Sequence, residues 1–266
     1  MGNEEKYSFE DFQKIIERLR AKDGCPWDRV QTHESLRDCM LEEAYEVAEG
    51  IDIYQATGDD ANLCEELGDV LLQVVMHARI AEEEGRFTMD DVIRGISEKM
   101  IRRHPHVFGD ASAETPDQVV ESWEAIKAKE KHEETVTNSM WRVAKALPAN
   151  IRAAKVQKKA AKTGFDFEDY KEAAKKVEEE LLEVLEAVEK GEKSQVYEEF
   201  GDLQFSVINL SRFLDVNPEN TLTNATEKFI NRFDSIEKTA IQRGVKLEDM
   251  DVQTMNEIWD EIKHLK

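Results

Sequence analysis

Two pairs of acidic residues in the second half of the chain are spaced for metal chemistry. Glu180 and Glu183 stand three residues apart, and so do Glu199 and Asp202. Residues three or four apart share a face of an α-helix, so two antiparallel helices would bring these four carboxylates together. Carboxylates clustered away from bulk water repel one another and require a cation. Their hard oxygen atoms favour Mg²⁺, which in turn binds phosphate oxygens.

The same acidic pattern occurs in the first half of the chain, at Glu43, Glu46, Glu66 and Asp69. A single pattern of this kind is explained by a solvated helix face, because the chain carries 58 acidic residues. Basic residues, however, follow both copies in step: Arg79 with Arg212, Lys99 with Lys228, and Arg103 with Arg232. The offset between the copies falls from 137 residues to 133 and then to 129, each change being about one helical turn. An internal duplication, giving two homologous helical domains, is the better explanation.

The net charge restricts the partners of the chain. It is −22, from 36 basic and 58 acidic residues. Nucleic-acid phosphates and anionic membrane surfaces repel such a chain. No apolar run approaches the roughly 18 residues of a membrane span. We therefore expect neither a nucleic acid nor a membrane as partner, and an anionic substrate only where a metal and local Lys or Arg residues reverse the field.

Cysteine usage and the N-terminal sequence bear on the compartment. Cys25, Cys39 and Cys64 are odd in number and lack the paired spacing of a metal site. They fit reduced thiols and not a disulfide framework. Residues 1–6 are polar and acidic, unlike a signal peptide. These features predict a soluble, cytoplasmic protein.

Helical periodicity dominates the chain, and no convincing alternating segment competes with it. With five prolines and twelve glycines in 266 residues, the composition is also helical, so the predicted fold class is all-α with two homologous helical bundles. Helix starts are expected near Ser8, Thr32 or Ser35, Ala61, Thr88, Pro116, Asn138, Ala149 and Pro218, with loops at 23–28 and 104–109. We predict an N-terminal domain at 1–112, a helical connector at 113–146 and a C-terminal domain at 147–266.

Several residues of the second half are candidates for substrate binding: Lys158, Asn209, Lys228, Arg232, Trp259 and Lys263. Lys228 and Arg232 lie four apart on one helix face and could hold phosphates, although such pairs are usually solvated. Trp259 and Lys263 lie on the terminal helix and either line a nucleotide pocket or pack structurally. Asn209 interrupts an apolar helix, where a buried amide needs hydrogen-bond partners, so it is either a core residue or a ligand contact.

These residues resemble the MazG family of nucleoside triphosphate pyrophosphohydrolases, in its long, tandem-domain bacterial form. The family signature is Glu-Glu-x-x-Glu followed by Glu-x-x-Asp. It occurs at residues 42–46 with 66–69, and again at 179–183 with 199–202. The flanking sequences resemble the family too, at residues 24–28, 31–33, 103–108, 147–149 and 164–166.

The resemblance implies an all-α pyrophosphatase fold that cleaves nucleoside triphosphates between the α- and β-phosphates. The products would be a nucleoside monophosphate and pyrophosphate. It implies Mg²⁺, replaceable by Mn²⁺, held by the acidic residues of both copies, and a homodimer. It also implies broad base specificity, serving to remove non-standard or excess nucleotides.

The catalytic residues implied for the second copy are Glu179, Glu180, Glu183, Lys228 and Arg232. We expect this copy to be the main active site. A base and a triphosphate need polar partners, and the second copy has Asn209 where the first has Met76.

Two other classes of protein remain as alternatives. One is a non-catalytic helical assembly protein whose acidic helices only hold a dimer together. It is disfavoured because burying four carboxylates for structure alone is costly. The other is a di-iron carboxylate bundle, which uses Glu-x-x-His pairs. Neither Glu43 nor Glu180 is followed by His three residues later.

Overall fold

The computed structural model describes residues 6–130 and 135–264, and within them the fold is helical with no strand. The predicted all-α class is therefore confirmed. The chain divides into two compact units, Met1–Lys127 and Ala128–Lys266. This division falls within one helix, and the predicted limits of a connector at 113–146 stay a prediction.

The first unit contains seven helices within the described residues: α1 Phe9–Arg20, α2 Pro26–Arg29, α3 Arg37–Thr57, α4 Ala61–Glu83, α5 Met89–Arg103, α6 Pro105–Phe108 and α7 Pro116–Glu130, whose end reaches into the second unit. Helix α3 packs against α4, and α4 packs against α1 and α5. Ser8 and Thr88 cap α1 and α5 through reciprocal hydrogen bonds with Asp11 and Asp91. Both starts agree with the prediction.

Three details of the first unit differ from the sequence-based expectation. A four-residue helix overlaps the end of the predicted loop at 23–28, and another lies within the predicted loop at 104–109, because proline at the first helical position favours one turn. Helix α3 begins at Arg37, after the two residues expected to cap it. Instead, the Ser35 hydroxyl accepts a hydrogen bond from the backbone of Thr32 at 2.9 Å, and the Thr32 hydroxyl accepts one from the backbone of Ser35 at 3.1 Å, which closes a turn ahead of the helix.

The core of the first unit lies between α1 and α4. It contains Ile16 of α1, Leu36, and Val75, Met76 and Ile80 of α4. The apolar run at residues 70–76 of α4 predicts a position in a core or an interface, and its C-terminal residues Val75 and Met76 lie in this core.

A buried arginine ties the segment around α2 to this core. Arg20 donates to the backbone carbonyls of Asp28 and Gln31, at 2.6 and 3.2 Å. It also pairs with the carboxylate of Glu83 at 2.8 Å.

The second unit contains α8 Val136–Trp141, α9 Ala149–Ala161, α10 Tyr170–Lys190, α11 Lys193–Phe213, α12 Pro218–Arg243, a short 3₁₀ turn Leu247–Asp249 and α13 Val252–His264. Helix α10 packs against α11, α11 against α9, and α9 against α8 and α12. Helix α8 begins before the expected Asn138, because the Thr135 hydroxyl accepts a hydrogen bond from the backbone of Asn138 and caps the helix. The sequence also predicts that the helix starting at Pro116 ends near His132, and this end lies outside the described residues.

A separate apolar cluster joins the last two helices. Ile236 and Ala240 of α12 pack with Met250 and Ile258, and Trp259 packs against this cluster. No helix within residues 6–130 or 135–264 is long and apolar enough to cross a membrane.

Candidate active site

A helical hairpin positions the acidic residues of the second unit. Asp169 caps α10 by accepting hydrogen bonds from the backbone of Lys171 and Glu172, at 2.8 and 3.0 Å. Gly191 ends α10 in the left-handed region at a φ of 73°, which favours glycine. The chain then reverses at once into α11. The short connection makes the two helices antiparallel neighbours, so the motif on α10 faces the motif on α11.

The hairpin brings carboxylates into a compact group. Oxygen atoms of Glu180, Glu199 and Asp202 all lie within 4.8 Å of one another. Glu180 is only 5% exposed. Burial, and then the nearby charges of Glu180 and Glu199, raise the pKa of the Glu183 carboxyl. Such a donor set fits a hard divalent cation, because every donor is a carboxylate oxygen and the charges repel without one.

Lys176 belongs to this site and is absent from the sequence-based prediction. Its Nζ lies 2.7 Å from a carboxylate oxygen of Glu179 and 2.7 Å from one of Glu180. These hydrogen bonds raise the pKa of Lys176. Lysine three and four residues before two glutamates is a spacing that the sequence displays. The burial of Glu180, which strengthens its ion pair with Lys176, is not visible in the sequence.

The first unit has a similar group of carboxylates on α3 and α4. Oxygen atoms of Glu43, Glu46 and Glu66 lie within 4.8 Å of one another, and the buried Gln73 donates to Glu43 at 3.5 Å. Burial is the main cause that raises the pKa of both Glu46 and Glu66. Asp69 is outside this group of three, although its charge also raises the pKa of Glu66.

The first unit lacks a counterpart of Lys176. The position that corresponds to it, 137 residues earlier, is Cys39. Both sites thus contain a group of carboxylates, but only the site of the second unit has a lysine at this position.

The basic candidates of α12 line a pocket of about 580 Å³, together with Asn231 and Ile262. The guanidinium of Arg232 lies over the ring of Trp259, 5.4 Å from its centroid. Lys228 is exposed at this pocket, Lys263 is exposed on α13, and Lys158 is exposed on α9. The structure therefore brings Lys228, Arg232 and Trp259 together.

A matching arrangement exists in the first unit. Arg103, the counterpart of Arg232, lies over the ring of Trp123 at 5.2 Å from its centroid. Each unit thus stacks the corresponding arginine on a tryptophan. This shared contact supports the internal duplication.

Comparison with known proteins agrees with the duplicated geometry. The model of the MazG nucleotide pyrophosphohydrolase domain matches twice, at residues 31–108 and 162–236. This chain belongs to the MazG family. It is 46% identical to the nucleoside triphosphate pyrophosphohydrolase/pyrophosphatase MazG of Thermotoga maritima, over 96% of this chain and 95% of that protein.

Two further relatives cover nearly the whole chain. A nucleoside triphosphate pyrophosphohydrolase of Escherichia coli is 40% identical over 94% of each chain. The uncharacterized protein YabN of Bacillus subtilis is 48% identical over 97% of this chain. This chain spans 52% of the length of YabN.

The second MazG domain has a cleft of about 500 Å³ that extends from α9 to α11. Asn209 lines it, and Asn209 Oδ1 accepts a hydrogen bond of 2.9 Å from Arg212. Arg212 also pairs with Asp166 at 2.5 Å. Asn209 thus lies at a cleft and not in the core. In the first MazG domain its counterpart, Met76, is 3% exposed and packs in the core.

Proposed function

We propose that this protein is a Mg²⁺-dependent nucleoside triphosphate pyrophosphohydrolase, which hydrolyses the bond between the α- and β-phosphates. The products would be a nucleoside monophosphate and pyrophosphate. The observation that carries the proposal is the group of carboxylates on α10 and α11, with a buried Glu180 and only oxygen donors. The names of the relatives from T. maritima and E. coli support it.

The chain's own residues have distinct roles in this proposal. Glu180, Glu183, Glu199 and Asp202 would hold Mg²⁺, or Mn²⁺ in its place. A cation bound there would neutralise phosphate oxygens and acidify a bound water. Glu179, released from Lys176, would accept the proton of the water that attacks the α-phosphorus.

Positive side chains would hold the rest of the triphosphate. Lys228 and Arg232 lie on one face of α12 and offer charge-assisted hydrogen bonds to phosphate oxygens. Lys176 offers a further ammonium group once a cation replaces it at Glu180. These cations would offset the −22 net charge that otherwise repels a nucleotide.

We assign the main activity to the second domain. Its carboxylates have Lys176 beside them, and a cleft lies further along α11 at Asn209, whereas the first domain has Cys39 and the buried Met76 at the positions of Lys176 and Asn209. The acidic residues of the first domain, Glu43, Glu46, Glu66 and Asp69, remain candidates for binding a second cation.

We also propose a homodimer in the cytoplasm. Helices α10 and α11 expose large apolar side chains, among them Leu182, Leu185, Tyr197 and Phe200. Large apolar side chains left exposed on two neighbouring helices are typical of protein interfaces. We propose broad base specificity and a role in removing non-standard or excess nucleotides.

Product analysis tests the proposal. The protein is incubated with a mixture of ribo- and deoxynucleoside triphosphates, with and without Mg²⁺, and the products are resolved by anion-exchange chromatography. We expect monophosphate and pyrophosphate with Mg²⁺ only. Diphosphate and orthophosphate would show cleavage between the β- and γ-phosphates and would contradict the proposal. A stable dimer without turnover would favour a non-catalytic assembly protein.

A further inference from the structure

Two histidines of the first domain are joined by a single hydrogen bond between their rings. His33 lies in the segment of residues 30–36, between α2 and α3, and His77 lies on α4. Their Nδ1 atoms are 2.8 Å apart. The ring planes differ by only 7° and the ring centroids are 5.1 Å apart. This separation is as long as the nitrogen–nitrogen distance allows, so the rings lie edge to edge, nearly in one plane, with the two Nδ1 atoms pointing at each other.

This geometry has room for one proton between the rings. A hydrogen bond between two ring nitrogens requires a proton on one of them and a free lone pair on the other. One imidazole is therefore protonated on Nδ1, and the other is protonated on Nε2 alone. A first added proton binds Nε2 of the donor ring and leaves the bond intact. A second added proton must bind Nδ1 of the acceptor ring, which places two N–H groups and two positive charges against each other and breaks the bond.

The histidine pair joins segment 30–36 to α4. Leu36, at the end of this segment, is 2% exposed and packs in the core of the first unit. Arg20 donates to a backbone carbonyl near the start of the segment at 3.2 Å. His33 lies between these two contacts. Helix α3 begins directly after the segment and carries carboxylates of the first domain, so release of the segment would free the N-terminal end of that helix.

No carboxylate of the described residues raises the pKa of His77. Burial, and then the charge of His33, lower this pKa, and both causes oppose the charged form of the ring. Glu34, next to His33 in the chain, is exposed. The charged side chains on the surrounding helices have partners of their own: Arg20 with Glu83, Arg37 with Asp38, and Arg79 with Glu17, Glu82 and Glu83.

We propose that the histidine pair is a pH-dependent contact, which holds segment 30–36 on α4 at neutral pH and releases it in mild acid. Histidines of the released segment have an ordinary pKa of about 6.5, whereas the closed pair excludes the second proton. Below about pH 6.5 the released state therefore binds more protons than the closed state, and the closed state loses stability as the pH falls. Above this pH both states bind the same number of protons, and the contact has its full strength.

The corresponding positions of the second domain hold different residues. They lie 137 and 133 residues after His33 and His77 and are Tyr170 and Leu210. Neither side chain takes up a proton near neutral pH. The effect is therefore specific to the first domain, and residues 167–173 serve as an internal reference for segment 30–36.

Hydrogen exchange of the full-length protein, followed by mass spectrometry at pH 7.5 and pH 5.5, tests the proposal. After correction for the intrinsic pH dependence of exchange, the protection of residues 30–36 should fall about tenfold, because release takes up one proton. The protection of residues 167–173 should not change. Equal protection of residues 30–36 at the two pH values would overturn the proposal.

His33→Asn tests the role of the second proton. Its amide occupies the position of Nδ1 and either donates to a neutral His77 or accepts from a protonated one, so the contact survives in both states. The protection of residues 30–36 in this variant should be the same at pH 7.5 and pH 5.5. A fall of the wild-type size in a folded His33→Asn would overturn the proposal.

His104→Asn is the matched control. Nδ1 of His104 donates to the backbone carbonyl of Met100 at 2.7 Å. An added proton therefore binds Nε2 of His104 and leaves this bond intact. The variant should keep the tenfold fall of the wild type, and its loss would assign the pH dependence to His104 instead of the pair.

Nitrogen NMR of the wild-type protein with ¹⁵N-labelled histidine tests the arrangement without any substitution. At pH 7.5, one of His33 and His77 should carry its proton on Nδ1, and the other should carry it on Nε2 alone. Protonation of both rings on Nε2 alone would overturn the shared hydrogen bond, and the proposal with it.

Discussion

Lys176 gives a prediction about the cation that the second domain binds. Lys176→Met keeps the length of the side chain and leaves the buried carboxylate of Glu180 without its counter-ion. Exposed ion pairs contribute up to about 1 kcal/mol, and breaking a fully buried pair costs about 3–5 kcal/mol. The side chains of Lys176 and Glu180 are 35% and 7% exposed, so this pair lies between those limits. We expect the free energy of unfolding to fall by about 2 kcal/mol without Mg²⁺.

Mg²⁺ should cancel most of this loss, because it would replace the lysine as counter-ion of Glu180. The measurement is thermal unfolding followed by circular dichroism, in EDTA and in millimolar Mg²⁺. For a unit of this size, about 2 kcal/mol lowers the midpoint by about 4–8 °C. A loss of equal size in both solutions would refute the idea that Lys176 occupies the place of a cation.

Lys190→Met is the matched control for this experiment. Lys190 pairs with Glu186 at 2.7 Å and with the same four-residue spacing, but the two side chains are 50% and 63% exposed. We expect a loss of less than about 1 kcal/mol, equal with and without Mg²⁺. A Mg²⁺-dependent effect here would mean that the cation acts on α10 in general and not at Glu180.

Three further results are expected. Glu180→Ala should abolish turnover and Glu43→Ala should spare it, measured as pyrophosphate release; the reverse would move the active site to the first domain. Arg20→Met should lower the free energy of unfolding by roughly 3 kcal/mol in urea titrations, because Glu83 loses its buried partner and keeps Arg79, and the Gln31 carbonyl loses its donor; no change would show that Arg20 does not stabilise the segment around α2. The pKa of Glu183 is raised, so this carboxyl keeps its proton at a higher pH than an ordinary glutamate. Because a cation must displace that proton, the affinity for Mg²⁺ measured by calorimetry should fall as the pH drops through the raised pKa. An affinity that does not change down to pH 4.5 would contradict this.

The duplication and most helices could be predicted from the sequence, because they depend on local patterns. Ser8 and Thr88 cap helices in the expected way, and Pro116 and Pro218 stand at first helical positions. The four-residue helices α2 and α6 could not, because a single helical turn after proline has the same composition as a loop. Boundary errors of this kind arise where side chains bond the backbone in alternative ways, as Thr32 does ahead of α3.

The candidate site could be predicted only in part. Glu180, Glu199 and Asp202 follow from spacing on two helices, and the hairpin brings them together. The buried position of Gln157 gave no signal, because its amide is held by a hydrogen bond to the backbone of Phe205, which is 48 residues away in the chain. Lys176 had the right spacing, but only the tertiary burial of Glu180 distinguishes its ion pair from the exposed ones. Burial and distant partners are properties of packing, and a single sequence does not show them.

The most direct test of the account follows the oxygen of the attacking water. The wild-type protein and the Glu180→Gln variant are incubated with ATP in ¹⁸O-labelled water, with and without Mg²⁺. The masses of the products are then measured by mass spectrometry. We expect label in AMP and none in pyrophosphate, only with Mg²⁺ and only in the wild type. Label in pyrophosphate, release of labelled orthophosphate, or turnover by Glu180→Gln at the wild-type rate would contradict it.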